Sequence, residues 1–445
     1  MRIVLAPDKF KHSLTAAQVA EHLAIGLGRV VPGAELIRLP VADGGDGTVE
    51  AAEAAGYRRV RCRVTGPAGA PVPASYAVRG HTAVVEAAQA CGLQLLTEPA
   101  PLTATSRGVG ELLDHAVRSG ARRIVLGVGG SACTDGGAGM LAALGGTLTD
   151  AAGVPLRDGG GALRALARID ATAAADRLAG VRLVLAADVD APLAEAATRY
   201  APQKGATAAD VAVLAAGLAR LAEAVEVDRA RRAEAVEADR ARRAGGVEAD
   251  RVRRAGGVAT DRERAGHGGA GSGGDLRYAP GSGAAGGIGF AALAVLGAHR
   301  EPGIEVVLEL LGFADRLATA DLVVTGEGAL DAQTAQGKAP AGVARAAAAA
   351  GVPAVAVAGR CEVAPARLGL AACYPLSDLE PDPSRSLARA GELVERAAER
   401  LARDWCRPTT AGPRGTGVGG GGRTAVPAGH GHAGHDGLAE GTADG

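Results

Sequence analysis

Asparagine is absent from the 445 residues and lysine is nearly so: four lysines stand among 48 basic residues, and the rest are arginine. Such a bias towards arginine and alanine leaves lysine where a compact ammonium cannot be exchanged for a planar guanidinium, so Lys9, Lys11, Lys204 and Lys338 are marked positions before any motif is sought. Charge of one sign is also lacking. The net charge of −1 argues against a dedicated nucleic-acid binder and against a polybasic membrane-surface protein. No stretch reaches about 18 apolar residues without a charge, which excludes a spanning helix; the alanine-rich stretch 341–358 is interrupted by Arg345 and Pro353. The apolar start before Pro7 is too short for a signal peptide and suits a first β-strand. Six cysteines lie far apart without Cys-x-x-Cys or Cys/His spacing, which disfavours zinc and a disulfide framework and points to reduced thiols in the cytoplasm.

Two segments do not read as core. Residues 225–266 repeat with an 11-residue period, in copies starting at 225, 236, 247 and 258, too highly charged to bury a stripe. They are expected to form a solvated insertion, helical in patches, continued to 274 by a glycine-rich linker. The glycine-rich tail 406–445 is expected to be disordered, and its His430, His432 and His435 beside Asp436 form a candidate metal tract. Elsewhere short β runs at 2–6, 35–41, 60–65, 83–86, 123–128, 182–187, 321–325 and 354–358 alternate with amphipathic stretches at 15–31, 105–119, 136–144, 207–223 and 338–350. Thr15 and Gln18 have capping-box spacing at the first of these helices. The alternation predicts an α/β fold with a mostly parallel sheet, and a hairpin of 60–65 with 73–79 hints at a second, mixed domain.

Ligands in open α/β folds sit beyond the carboxyl ends of the strands, and polar clusters fall at those ends here. They are Ala6–Ala16 (APDKFKHSLTA), Ala42–Thr48 (ADGGDGT), Gly129–Met140 (GGSACTDGGAGM), Asp188 and Asp190 in DVD, Pro202–Ala206 (PQKGA), Gly283–Gly287 (GAAGG) and Thr325–Pro340 (TGEGALDAQTAQGKAP). Taken singly, a glycine turn is only a tight connection, and Asp188 or Asp190 could merely cap a turn. Together, glycine turns, carboxylates and all four lysines suit phosphoryl transfer, with carboxylates for Mg²⁺ and with lysines and backbone N–H groups for phosphates. Rivals fit less well. Gly127, Gly129 and Ala132 followed by Asp150 mimic a dinucleotide fingerprint but leave the lysines unexplained, and DVD resembles the aspartyl-phosphatase motif but comes late in the chain. Walker A and protein-kinase signatures are absent.

As an ordered set these segments resemble the bacterial glycerate kinase family, which phosphorylates D-glycerate with ATP. The resemblance covers about 1–224 and 276–405. It implies two domains: a Rossmann/flavodoxin-like three-layer domain with a mostly parallel sheet, from 1–58 plus 283–405, and an inserted mixed α/β domain, from 59–224 plus 275–282, with the active site in the cleft. It implies a cytoplasmic enzyme, monomer or homodimer, using ATP and Mg²⁺, with no nucleic-acid or membrane partner and with the 2-hydroxyl as the favoured acceptor. Asp188, Lys204 and Lys338 are the catalytic candidates, and Asp188 and Asp190 the metal candidates, with base and metal ligand left open between the two. The substrate- and phosphate-binding candidates are Asp8, Lys9, Lys11, Ser13, Asp43, Asp46, Gly129, Gly130, Ser131, Thr134, Asp135, Gly286, Gly287, Glu327 and Asp331. One departure matters. Where the family usually has an Asn and then a Gly-Pro-Arg-Gly turn, this chain has Ala191 and a shorter connection, Ala194–Tyr200, in which Arg199 is the candidate substitute. A nicotinamide-dependent dehydrogenase and a glycerate-binding protein with impaired catalysis stand as alternatives.

Overall fold

The computed structural model describes residues 1–254 and 275–406; the tail, its histidine tract and the glycine-rich linker lie outside the described residues. In chain order the strands are β1 (Arg2–Pro7), β2 (Glu35–Arg38), β3 (Arg58–Thr65), β4 (Pro71–Arg79), β5 (Thr82–Glu86), β6 (Arg123–Gly127) and β7 (Thr147–Thr149), followed by β8 (Arg168–Asp170), β9 (Arg182–Ala186), β10 (His299–Glu301), β11 (Leu322–Leu330), β12 (Ala354–Cys361) and β13 (Ala372–Pro375). They form two principal sheets, each the floor of one lobe.

The first sheet has the order β13-β12-β11-β1-β2 with every pairing parallel, so both chain ends build it. Counted within the sheet this is the flavodoxin-like order 2-1-3-4-5, whose switch point lies between β1 and β11. Its strands are apolar on both faces because helices cover both. On one side lie Ala16–Val30 and Ala390–Trp405, on the other Ala339–Ala349 and Gly303–Leu310. The expected capping box is present: Thr15 Oγ1 accepts the Gln18 N–H at 3.2 Å and Gln18 Oε1 accepts the Thr15 N–H at 2.9 Å. In Ala390–Trp405, Leu393, Val394 and Leu401 are buried against this face, each contributing roughly 2 kcal/mol.

The second sheet, β10-β9-β6-β5-β4-β3, is mixed. The expected hairpin β3–β4 and the β4–β5 pair are antiparallel, while β5, β6, β9 and β10 are parallel. A small antiparallel pair, β7–β8, lies beside it. Two helices, Thr48–Ala54 and Gly303–Leu310, are wedged between the lobes: Ala51, Ile304 and Val307 pack with the first sheet's core, Val49, Val306 and Leu310 with the second's.

Two boundaries differ from expectation. The chain does not return to the first sheet at 283: Ile288 and Phe290 sit in the second lobe's core, and β10 pairs with β9, so the return follows Glu301. Nor does the repeat begin as a patchy helix. A single helix runs Ala208–Arg254, and its face of Leu214, Leu218, Leu221 and Val225 is buried in the second lobe. An 11-residue period is three turns of 3.67 residues, so the first copy stays in phase with that face. Asp228 is buried there, held by Arg231 at 2.5 Å and Arg232 at 2.8 Å, and Arg231 also reaches Asp170 of β8 at 3.0 Å.

Candidate active site

The carboxyl ends of the parallel strands of both sheets open on two cavities. The larger, about 400 Å³, lies at the β1/β11 switch point and carries Asp8, Lys9, Lys11 and Ser13 after β1, Glu327 of β11, then Asp331 and Lys338. The smaller, about 210 Å³, lies at the ends of β6 and β9 and is lined by Gly129, Gly130 and Ser131, by Asp188, by Lys204 and by Gly286. Asp43, on the loop leading from the first lobe into the Thr48–Ala54 helix, is the one residue among those described that lines both. That loop lies directly on the β6 turn. A Cβ added to Gly129 would stand 2.6 Å from the Gly45 Cα, so the two backbones meet closely only because neither position has a side chain.

The electrostatics centre on Asp43. Burial, followed by the charge of Asp43, pushes the Asp188 carboxyl up to about 7. Burial likewise raises Asp8 to about 7, partly offset by Lys9 and reinforced by Asp43 and Glu327. Burial raises Glu327 too, against the pull of Lys338, whose Nζ is 3.4 Å from Glu327 Oε1 and 3.9 Å from Asp331 Oδ1. Burial depresses Lys9, but the carboxylates of Asp8, Asp43, Asp46 and Glu86 outweigh it and leave the ammonium raised. Lys204 is 4% exposed, and burial lowers its pKa; its Nζ donates to Cys133 O at 2.5 Å and Ser131 Oγ at 3.2 Å, directly under the glycine turn. Asp188 Oδ1 accepts the Gly303 N–H at 2.7 Å, while its Oδ2 is buried without a partner among the described residues. An arrangement of two adjoining anion-ready cavities with clustered carboxylates at their junction can bring a phosphoryl donor and an acceptor together.

Comparison with known proteins agrees. The sequence profile of the Glycerate kinase family matches residues 3–406. The chain belongs to the glycerate kinase family. It is 38% identical to a glycerate kinase of Bacillus subtilis strain 168 over 413 residues, covering 90% of this chain and 97% of that protein. It is 39% identical to the glycerate 2-kinase of Escherichia coli K12 over 367 residues, covering 81% and 85%. A solved structure of a Salmonella typhimurium LT2 protein assigned as glycerate kinase 2 superposes with a TM-score of 0.70 at 37% identity, covering 91% of this chain and 98% of that one. Kinase activity on glycerate follows, and the dehydrogenase alternative falls away. Among the described residues no helix is long and apolar enough to cross a membrane.

Within this family member, several residues expected at the site stand elsewhere. Asp190, the second metal candidate, is exposed and ion-paired with Arg300 at 2.6 Å, and lines neither cavity. Asp135 is a buried strut of the glycine turn: its carboxylate accepts the Ser106 N–H and Oγ–H, each at 2.8 Å, and the Gly137 and Gly139 N–H groups. Thr134 is buried beside it, and Gly287 packs on Gly136 rather than on a cavity. Asp46 acts through its main chain, its carbonyl accepting from Lys9 Nζ at 2.5 Å. Arg199 does not itself line a cavity: it pairs with Glu195 at 3.5 Å and stacks over Tyr200, which lines the smaller cavity, while Ala196 and Ala197 of the shortened connection are buried in the second lobe. Other lining residues were missed. Arg360 lies at the carboxyl end of β12, beside β11, a position that strand-end reasoning could have flagged. His12 (φ 67) and Ala285 (φ 53) line the cavities in left-handed conformations that non-glycine residues rarely adopt, and nothing in the sequence signals that.

Proposed function

We propose that the enzyme transfers the γ-phosphoryl group of ATP to the 2-hydroxyl of D-glycerate, giving 2-phosphoglycerate and ADP, with one substrate in each cavity and the transfer at Asp43. The observation that carries this reading is the position of Asp43, which lines both cavities while the rest of their linings is separate. The glycerate hydroxyl oxygen forms the new bond to phosphorus, the bond from the γ-phosphorus to the ADP oxygen breaks, and the hydroxyl proton passes to the Asp43 carboxylate. Asp43 Oδ1 accepts the Gly45 N–H at 3.1 Å, which orients the group. Lys204 and Lys338, one in each cavity, neutralise anionic oxygens. The 2-position is supported by the name of the E. coli relative.

The residues fit Mg²⁺. Asp188 carries an unpartnered buried oxygen and is destabilised as an anion by Asp43, and a cation relieves both. Magnesium takes one or two carboxylates when phosphate oxygens and water complete its shell, so the lack of any three-ligand cluster among the described residues is no obstacle. Held by Asp188, with phosphate oxygens and water completing its shell, it would supply charge neutralisation for the transferring group. The six free thiols suit a reducing cytoplasm.

The test is glycerate-dependent ADP release with Mg²⁺, together with NMR identification of the product. Asp43→Asn is expected to lower kcat by about 10²-fold or more, within the range of general-base contributions. No ADP from the folded wild type sinks the kinase chemistry, 3-phosphoglycerate sinks the 2-position, and an unaffected Asp43→Asn sinks the assignment of the transfer point.

A further inference from the structure

One buried acid is used by none of this. Glu86 ends β5, in register with Gly127 of β6, from which the chain runs on into the Gly129–Ser131 turn. It is fully buried, and a buried carboxyl is costly unless its environment repays it. Its Oε2 accepts the Val49 N–H at 3.2 Å, the Gly47 N–H lies close enough to favour its charged form, and Oε1 has no partner among the described residues. Val49 and Gly47 belong to the start of the Thr48–Ala54 helix, which has no side-chain cap of its own because Gly47 occupies the cap position. The carboxyl therefore supplies, from the second lobe, the acceptor that this helix start lacks.

The same loop is gripped from the opposite side. Lys9 of the first lobe donates to the Asp46 carbonyl, and Thr48 Oγ1 donates to the Gly45 carbonyl at 2.6 Å inside the loop. Asp43–Thr48 is thus tied to the first lobe by Lys9 and to the second by Glu86, with Gly45 lying on Gly129. The charged groups that face Glu86 are Glu50 on the helix, Asp46 on the loop and Lys9 on the first lobe. Burial, reinforced by the charges of Glu50 and Asp46, pushes the Glu86 carboxyl up to about 8.

We propose that Glu86 is a positioning residue whose buried side chain holds the Asp43–Thr48 loop from the second lobe and so sets where Asp43 stands between the two cavities. This rests on the reading of Asp43 as the transfer point. A cap that served stability alone would leave turnover of the folded enzyme unchanged. Glu86→Ala, assayed as the full chain with saturating ATP and glycerate, is expected to lose tenfold or more in kcat with each KM within threefold. Glu86→Gln, whose amide oxygen can accept the same N–H groups, is expected to restore kcat to within threefold of wild type. Hydrogen exchange in the unliganded protein gives a readout independent of catalysis: amides 44–49 are expected to exchange at least tenfold faster in Glu86→Ala. A folded Glu86→Ala with kcat within twofold of wild type, or with unchanged exchange over 44–49, overturns the proposal. If the alanine variant does not fold, Glu86→Asp, one methylene shorter, decides: reduced kcat with faster exchange supports it, and wild-type values for both overturn it. A wild type without glycerate-dependent ADP release would instead mean that the kinase reading fails, and the exchange data would still judge Glu86.

Discussion

Replacing Gly129 with alanine tests the geometry at the meeting of the lobes. The added Cβ would lie 2.6 Å from the Gly45 Cα and 3.5 Å from the Asp46 nitrogen, whereas ordinary contact begins near 3.4 Å. Both partners are main chain, so no side chain can swing away, and the loop must retreat by about 1 Å. Overpacking of this kind costs about 1–3 kcal/mol of stability, which a folded enzyme can survive. The effect on chemistry should be larger, because the retreating loop carries Asp43. A displacement of about 1 Å at the reacting groups costs roughly 10²-fold in rate, equivalent to about 2.7 kcal/mol in the barrier. The assay is kcat/KM for glycerate at saturating ATP, read beside a thermal melt that confirms folding. Gly45→Ala is the internal standard: its Cβ would meet Asp43 Oδ1 at 3.0 Å and the Gly129 Cα at 3.3 Å, a milder clash that should cost less. A folded Gly129→Ala within threefold of wild-type kcat/KM, or a Gly45→Ala worse than it, would refute the reasoning.

Other expectations follow from the same geometry. Lys204→Arg should lower kcat/KM tenfold or more, since the buried ammonium fits between Cys133 O and Ser131 Oγ where a planar guanidinium does not; Lys338→Arg, at a side chain 29% exposed, should cost less, and steady-state kinetics of both variants check the order. Gly28→Ala should stabilise the protein by about 0.5–1 kcal/mol in chemical denaturation, because the position is helical and open space surrounds its would-be Cβ. Asp8 has its folded pKa raised to about 7 from an unfolded 3.8, so the native state holds the extra proton. Its contribution is then full below about pH 4 and is lost as pH rises towards 7, by up to about 4 kcal/mol at 1.36 kcal/mol per unit. Thermal melts from pH 4.5 to 8 should therefore show a shallower fall in Asp8→Asn than in wild type, and parallel curves would contradict the burial argument.

Much was legible along the chain, for reasons that are local. Period-2 and buried β runs marked β1, β5, β6, β9, β11 and β12, and the Thr15–Gln18 capping box and the β3–β4 hairpin announce themselves within a few residues. The strands not foreseen, β7, β8, β10 and β13, span only three or four residues and carry no readable period. All four of the scarce lysines line the two cavities: Lys9, Lys11 and Lys338 one and Lys204 the other. A residue type retained against a compositional bias is a property of the chain itself.

Which carboxylates meet was not legible, because side-chain direction is settled by packing. Asp188 and Asp190 stand two apart, yet one faces a cavity and the other bonds Arg300 from β10, a strand that joins this sheet from more than 100 residues away. Asp135 lies in the richest glycine motif and is spent holding that motif together. Glu86 sits in an ordinary apolar strand, and only the helix start brought to it from the other lobe gives its carboxyl something to hold. Local pattern thus determined the elements, the family and the marked lysines. The closing of two sheets on the Asp43 loop, which depends on contacts between segments distant in sequence, decided which of those groups face one another.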